Sequence, residues 1–369
     1  MPGLALLAQA LACDTVHLFN SFTNLMPLNL HRLLASAALL IAMASAHATD
    51  APTMYGTVTA GLSYVDHIGA NNGHVVRASN SEWGTSLVGM QAAEALTPDL
   101  QLLTRLESGF NTATGTVGSD GLLFSRYATL GVESKTWGKL EAGRSMAYSN
   151  DAWYIDPMGL NWSGSATLTK GHSWNAWSRT VGYRSAGRGG LAIGLQASVG
   201  ARACRTTAGV LSYQRGGLDF RAIYDATRDQ QGHLSDLFEA SHELIVGARY
   251  EQGANAWFAA YNLVRAPDAA AGSDTSLQQV WAGVNRKVGA RDLLRLGIYG
   301  ARTNVTDARA LLLSGGWEHS FAPALTLWAT AAVVRNSRDA AFPVAAYWQD
   351  VPAPGATQHT VNGGLIYTF

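Results

Sequence analysis

Arg105 and Glu107 stand two residues apart in a stretch where Leu100, Leu102, Thr104 and Leu106 take the alternate positions. Asp219, Arg221 and Asp225 alternate in the same way with Leu218, Phe220, Ala222 and Tyr224. Charges at every second position belong to the polar face of a strand, because successive side chains point to opposite sides. The chemistry such a face offers is non-covalent: fixed charges that attract, repel and orient ions and polar solutes in water. Bond-making chemistry has thinner support. A hydrolytic site needs a Ser or Asp beside a His with an orienting partner, whereas His233, His242, His319 and His359 are scattered over separate strands or loops. A triad assembled across strands stays open as the enzymatic alternative, but no enzyme activity is expected. No His or carboxylate cluster shows metal-ligand spacing, and no Gly-rich phosphate loop or dinucleotide fingerprint stands out, so no metal or cofactor is expected.

Composition agrees with a strand-built protein. The 39 glycines and low charge content of the 369 residues favour strands and turns in one β domain. Lys plus Arg equals Asp plus Glu at 26 each, so no bulk field invites nucleic acid as a partner. Cys13 falls in the leader region, which leaves Cys204 as a single thiol in the mature chain. Neither a disulfide framework nor a Cys-based zinc site is available.

His31-Arg32, the apolar run 33–44 and Ala46-His47-Ala48 form the basic, apolar and small-residue parts of a secretory signal cleaved after Ala48. The apolar part is shorter than the ~20 residues a spanning helix needs. Met26 is a natural start for this signal, so residues 1–25 read as a misassigned upstream start, 26–48 as the signal and 49–369 as the mature domain.

From Thr53 onward the period is two. Met54, Gly56, Val58, Ala60, Leu62 and Tyr64 oppose Tyr55, Thr57, Thr59, Gly61 and Ser63. Arginines on the second face of other strands, with Arg105, Arg221 and Arg295 as candidates, exclude a dry core there. A soluble sandwich turns its apolar face inward, whereas a membrane barrel turns it to lipid and lines water with the polar one. Turn signals mark about sixteen strands of roughly 9 to 13 residues. Starts fall near 53, 81, 99, 122, 137 and 174 in the first half and near 358 for the last strand. Short turns such as Thr97-Pro98-Asp99 and Gln252-Gly253-Ala254 alternate with mostly longer connections, the longest near 145–173 and 336–357. This asymmetry is that of a closed antiparallel transmembrane β-barrel. The last strand places Val361, Gly363, Leu365, Tyr367 and Phe369 on one face, and the Tyr367–Phe369 pair has the form of an outer-membrane assembly signal.

Leu106-Glu107-Ser108-Gly109-Phe110, then Leu123-Phe124-Ser125-Arg126-Tyr127-Ala128-Thr129-Leu130-Gly131, then Trp137 to Arg144 resemble, in order and spacing, segments of the general Gram-negative porins. Tyr55-Gly56, Ser81-Glu82-Trp83-Gly84 and the C-terminal Gly363 to Phe369 fit the same family. The resemblance implies an all-β barrel of about 16 strands, trimeric, with a long third loop folded into the lumen. It implies passive diffusion of small polar solutes and ions across the bacterial outer membrane. The implied partners are membrane lipids, lipopolysaccharide, two further copies of the chain and the barrel assembly machinery.

In that scheme Arg126 matches the family's wall arginine on strand four, and parity places it on the lumen side with Ala128. Asp151 and Asp156 in the third loop are the expected acidic counter-wall, with solvated loop carboxylates as the alternative. Arg105 and Glu107 complete the expected constriction with Glu82, which stands where the family carries an arginine. Ala176 and Ser178, the positions assigned inward on strand six, also lack an arginine, so a less basic constriction is expected. Parity of Lys139, Glu141 and Gly143 turns Arg144 outward near the outer rim. A neighbouring subunit covering it on a trimer face of strands one to five is one expectation, and snorkelling to headgroups is the other. Trp153, Tyr154, Trp162, Trp174 and Trp177 add a substrate-preferring channel to the alternatives, beside interfacial anchoring. A plugged structural barrel is the last.

Overall fold

The computed structural model describes residues 51–79, 83–118, 121–161, 163–165, 175–199, 205–345 and 350–369. Residues 1–50, Glu82, Trp162, Trp174 and Cys204 lie outside the described residues. The strands are β1 (Thr53–Ile68), β2 (Gly73–Ser79), β3 (Leu87–Ala95), β4 (Leu100–Gly109), β5 (Tyr127–Ser134) and β6 (Gly138–Met146). After a long loop come β7 (Ala176–Ser185), β8 (Leu191–Ser198), β9 (Thr206–Arg215), β10 (Leu218–Thr227) and β11 (His242–Gln252). β12 (Asn255–Arg265), β13 (Ser276–Val288), β14 (Asp292–Thr303), β15 (Arg309–Ala322), β16 (Leu325–Asn336) and β17 (Thr357–Thr368) complete the wall. All pair antiparallel with their neighbours in one sheet.

Seventeen segments make sixteen staves. β2 and β3 share one edge of β1: β2 pairs with its later part, Gly61 to Ile68, and β3 with its first part, Thr53 to Thr57. One stave expected to start near 81 is thus two strands with a gap between them. The gap leaves the backbone of Thr59 without a ladder partner on that side. Ser86 supplies one, its Oγ accepting from the Thr59 amide at 2.9 Å and donating to the Thr59 carbonyl at 3.1 Å. An unpaired peptide group there would face a large desolvation cost.

Closure is made by β1 and β17, paired from Thr57↔Thr368 to Val65↔Thr360. Phe369 continues this ladder, exchanging two 3.0 Å backbone bonds with Gly56. No sheet edge then remains open to hydrocarbon, the condition for strands to cross a bilayer. The alternation has the expected sense. Met54, Leu62, Leu130, Leu296 and Val361 are exposed on the outside, whereas Thr59, Ser63, Glu107, Asp225, Gln358 and Asn362 are buried within. Trp137, Tyr250, Trp257, Phe321, Tyr367 and Phe369 are exposed beside the short turns and the C-terminus, in the manner of an interfacial aromatic girdle.

Gly61 pairs with Gly364 across the seam, and a Cβ on Gly61 would overlap the Gly363 carbonyl oxygen. Backbone atoms have no rotamer by which to retreat. Gly61→Val is expected to destabilise closure by about 1–3 kcal/mol and to lower the folded fraction in a heat-modifiability gel several-fold, while Ala60→Val on the outward face is tolerated.

Candidate functional site: the pore loop and lumen

The chain leaves β6 at Met146 and enters a 3-10 helix, Tyr148–Ile155, that packs against β8 to β12 from inside the barrel. It is tied to the wall at each turn. The Tyr148 amide donates to Gln196 Oε1 at 2.9 Å, and Trp281 Nε1 donates to the Ile155 carbonyl at 2.9 Å. The Pro157 carbonyl accepts from Asn285 Nδ2 at 3.0 Å and Arg295 Nη1 at 3.1 Å. Room for the loop comes from wall glycines. A Cβ on Gly247 would press on Ile155, and one on Gly283 would overlap Pro157. The described part of this loop therefore lies against the wall.

Asp151 and Asp156 occupy this loop, but neither presents a free carboxylate to an opposite wall. Asp151 is held by Arg184, whose two terminal nitrogens each lie 2.9 Å from its oxygens, and by Arg221 Nη1 at 3.0 Å. Arg184 and Arg221 also stack over Tyr148 and Tyr154 at 4.0 and 4.2 Å. Asp156 is enclosed. It accepts from Tyr299 Oη at 2.5 Å, from the amides of Met158 and Leu160 at 3.0 Å each, and from Ser165 Oγ. Burial pushes its carboxyl above the usual range, against the four donors that favour the ionised form. Asp151 fastens the loop by charge, because an acid placed against arginines gains more by pairing than by facing water, and Asp156 fastens it by hydrogen bonds.

Across the lumen, Glu107 is fully buried and collects three donors. Arg126 Nε lies 2.6 Å from Oε1, while Arg105 Nη2 and Tyr55 Oη lie 2.6 and 2.7 Å from Oε2. Arg105 Nε also reaches Tyr55 Oη at 2.8 Å, and its guanidinium lies 3.7 Å from the centroid of Tyr127. Glu107 pairs in register with Tyr127, and Arg105 with Thr129, so those residues face water, whereas Ala128 pairs with Leu106 on the outer face. Arg126 therefore does not share a face with Ala128. Its side chain turns inward from a position just before β5, through the ion pair with Glu107.

A second parity break changes strand six, here β7. Between Gly143 and Ser145 on β6 the partner advances three residues, from Thr180 to Trp177, with Arg179 at φ +57°. This bulge puts one extra residue on β7 and reverses the faces beyond it. Ser178 turns outward, where its Oγ accepts from Arg144 Nη1 at 2.6 Å. The inward positions are Trp177, Thr180, Gly182 and Arg184. An inward arginine is therefore present, and counting back from the Gly189-Gly190 turn would have found it. Arg144 pairs with outward Ala128 and also donates to the Ser125 carbonyl at 2.7 Å.

A cavity of about 580 Å³ lies beside the loop. Trp83, Trp153, Tyr154, Arg249, Glu251, Lys287 and Arg295 are among its lining residues. Arg249 is paired with Glu251, and Arg295 Nε lies 2.5 Å from Glu318 Oε1. Lys287 has no ion-pair partner among the described residues. Trp177 is buried away from this cavity, against the β6 end. One association that spacing did not reveal lies elsewhere: Asp66, His67 and His359 bring three ligand-type side chains together across 293 residues.

A closed antiparallel barrel with an apolar exterior, a charged lumen and an inward-folded third loop defines the class of outer-membrane porins. The chain belongs to the Gram-negative porin family, whose model matches residues 35–339. Among curated proteins, it is 35% identical over 154 residues to an outer membrane porin protein of Bordetella pertussis. That alignment covers 38% of this chain and 40% of that relative's length. Among solved structures, the anion-selective porin from Comamonas acidovorans superposes with a TM-score of 0.75 at 17% identity, covering 86% of this chain and 99% of that one. The trimer form of OmpT from Vibrio cholerae gives 0.63 at 14% identity, covering 87% and 100%.

Asp156→Ala removes the acceptor of four bonds at the loop's turn. Limited proteolysis of the folded protein is expected to cut within 147–175 at least several-fold faster than in the parent, with larger current fluctuations in single-channel records.

Proposed function

We propose that the barrel is a water-filled channel for passive diffusion of small hydrophilic solutes and ions. The observation that carries this reading is the cavity beside a loop whose own acids are paired or enclosed. Stepwise conductance in planar bilayers that scales with salt concentration is the expected result, and a folded protein that produces no steps contradicts it.

The passage favours anions. Asp151 and Asp156 are neutralised or enclosed, the acids near the cavity each have an arginine, and Lys287 remains as an uncompensated cation. The Comamonas acidovorans protein of the same fold is anion-selective, which supports the reading. Reversal potentials in a salt gradient are expected to give an anion preference of a few-fold, reduced or inverted by Lys287→Glu. A cation preference in the parent contradicts it.

The channel assembles as a homotrimer in the outer membrane, among lipids and lipopolysaccharide, after its C-terminal Tyr367 and Phe369 are read by the barrel assembly machinery. Arg144, outward at the loop end of β6, is placed in the trimer face formed by β1 to β6. An arginine left against lipid would cost up to ~2–4 kcal/mol at the midplane and less near the rim. Arg144→Ala is expected to dissociate in detergent at a lower temperature than the parent trimer; an equal dissociation temperature removes Arg144 from the interface.

A further inference from the structure

Val65 and Ile68 of β1 pair with Val75 and Gly73 of β2, so β1 carries one extra residue between them. His67 in this bulge has φ +49°. In a regular strand Asp66 and His67 would point to opposite faces. The bulge instead aims both at one point, and β17 brings His359 to the same point from the other side of the seam.

The geometry points to a divalent transition-metal site formed by Asp66, His67 and His359 at the loop end of the β1–β17 seam. The ligand atoms of the three residues all lie within 4.8 Å of one another. His67 Nδ1 is 2.8 Å from Asp66 Oδ1, and His359 Nδ1 is 3.0 Å from Asp66 Oδ2. His67 Nδ1 is buried beside the Asp66 carboxylate. The backbone amide of His359 also donates to Asp66 at 2.8 Å, which holds the carboxylate between the rings. The two rings meet edge to face with centroids 5.7 Å apart.

Metal–ligand bonds of about 2.0–2.2 Å in a tetrahedron set ligand atoms about 3.4 Å apart. The observed spacing brackets that value, so small side-chain rotations complete three corners and leave the fourth to water. Two imidazoles and one carboxylate suit zinc and its neighbours and offer little to magnesium, which prefers oxygen ligands. The two histidine side chains are 41% and 48% exposed, so solvent borders the cluster. A metal here would brace the closing seam by joining the first strand to the last.

The test uses the full-length folded protein in detergent, stripped with a chelator and titrated with zinc chloride against a chromogenic competitor. One zinc per chain at micromolar affinity or tighter is expected, undisturbed by a hundredfold excess of magnesium. His67→Ala and His359→Ala should each weaken it at least tenfold, and Asp66→Asn should weaken it as well. His319→Ala, near the short-turn end of β15, should bind as the parent does. Heat-modifiable migration checks that each variant is folded. Zinc should also raise the unfolding temperature of the parent by mass action, and not that of His359→Ala. No zinc binding by the parent, or unchanged binding in a folded His67→Ala/His359→Ala double variant, overturns the site.

Discussion

Every peptide group that faces hydrocarbon must find its hydrogen bond within the chain, and the β1–β17 seam is where this requirement is met last. Until Thr57–Val65 and Thr360–Thr368 pair, two edges stand open, and the other fifteen junctions cannot protect them. The seam is accordingly tightly constrained. Gly61 and Gly364 approach too closely for side chains, Phe369 extends the ladder to the last residue, and its ring lies over Gly56. The same constraint explains Ser86. Where the second stave is interrupted, a side-chain hydroxyl takes both bonds that a strand would have made.

Once the wall is closed, its polar face is enclosed with water and with the third loop. Charges in such a space pair before they do anything else, because an unpaired buried charge costs several kcal/mol. Arg184 and Arg221 hold Asp151, and Arg126 and Arg105 hold Glu107. The loop thereby becomes a rigid part of the lumen, and the electrostatic character of the passage is set by the charges left over. That remainder differs from a simple inventory of lumen charges. Two acids that read as a counter-wall are fasteners, and a lysine in β13 stands out instead.

Bulges supply the second theme. In β7 the extra residue near Arg179 turns Ser178 to the outside, while Arg184 keeps the lumen face set by its regular pairing with Lys139. In β1 the extra residue near His67 turns two consecutive side chains to one side. Each local slip reverses the faces on one side of it, so a single residue decides whether a charge lines water, touches lipid or meets another side chain.

The order of strands, the alternation of short and long connections, the apolar exterior and the final aromatic strand were legible in the residues, because strand period and turn chemistry are local properties. The lumen positions of Arg105, Glu107 and Arg221 were legible for the same reason. Only the tertiary structure decided that Arg126 enters the lumen through Glu107 rather than through parity, that Asp156 is enclosed, and that Asp151 is paired with Arg184 and Arg221. It alone brought Asp66 and His67 to His359, from the first and the last strand of the barrel. These contacts depend on closure and on bulges, and neither leaves a periodic trace: closure joins residues hundreds of positions apart, and a bulge is one residue that breaks the period by which a strand is read.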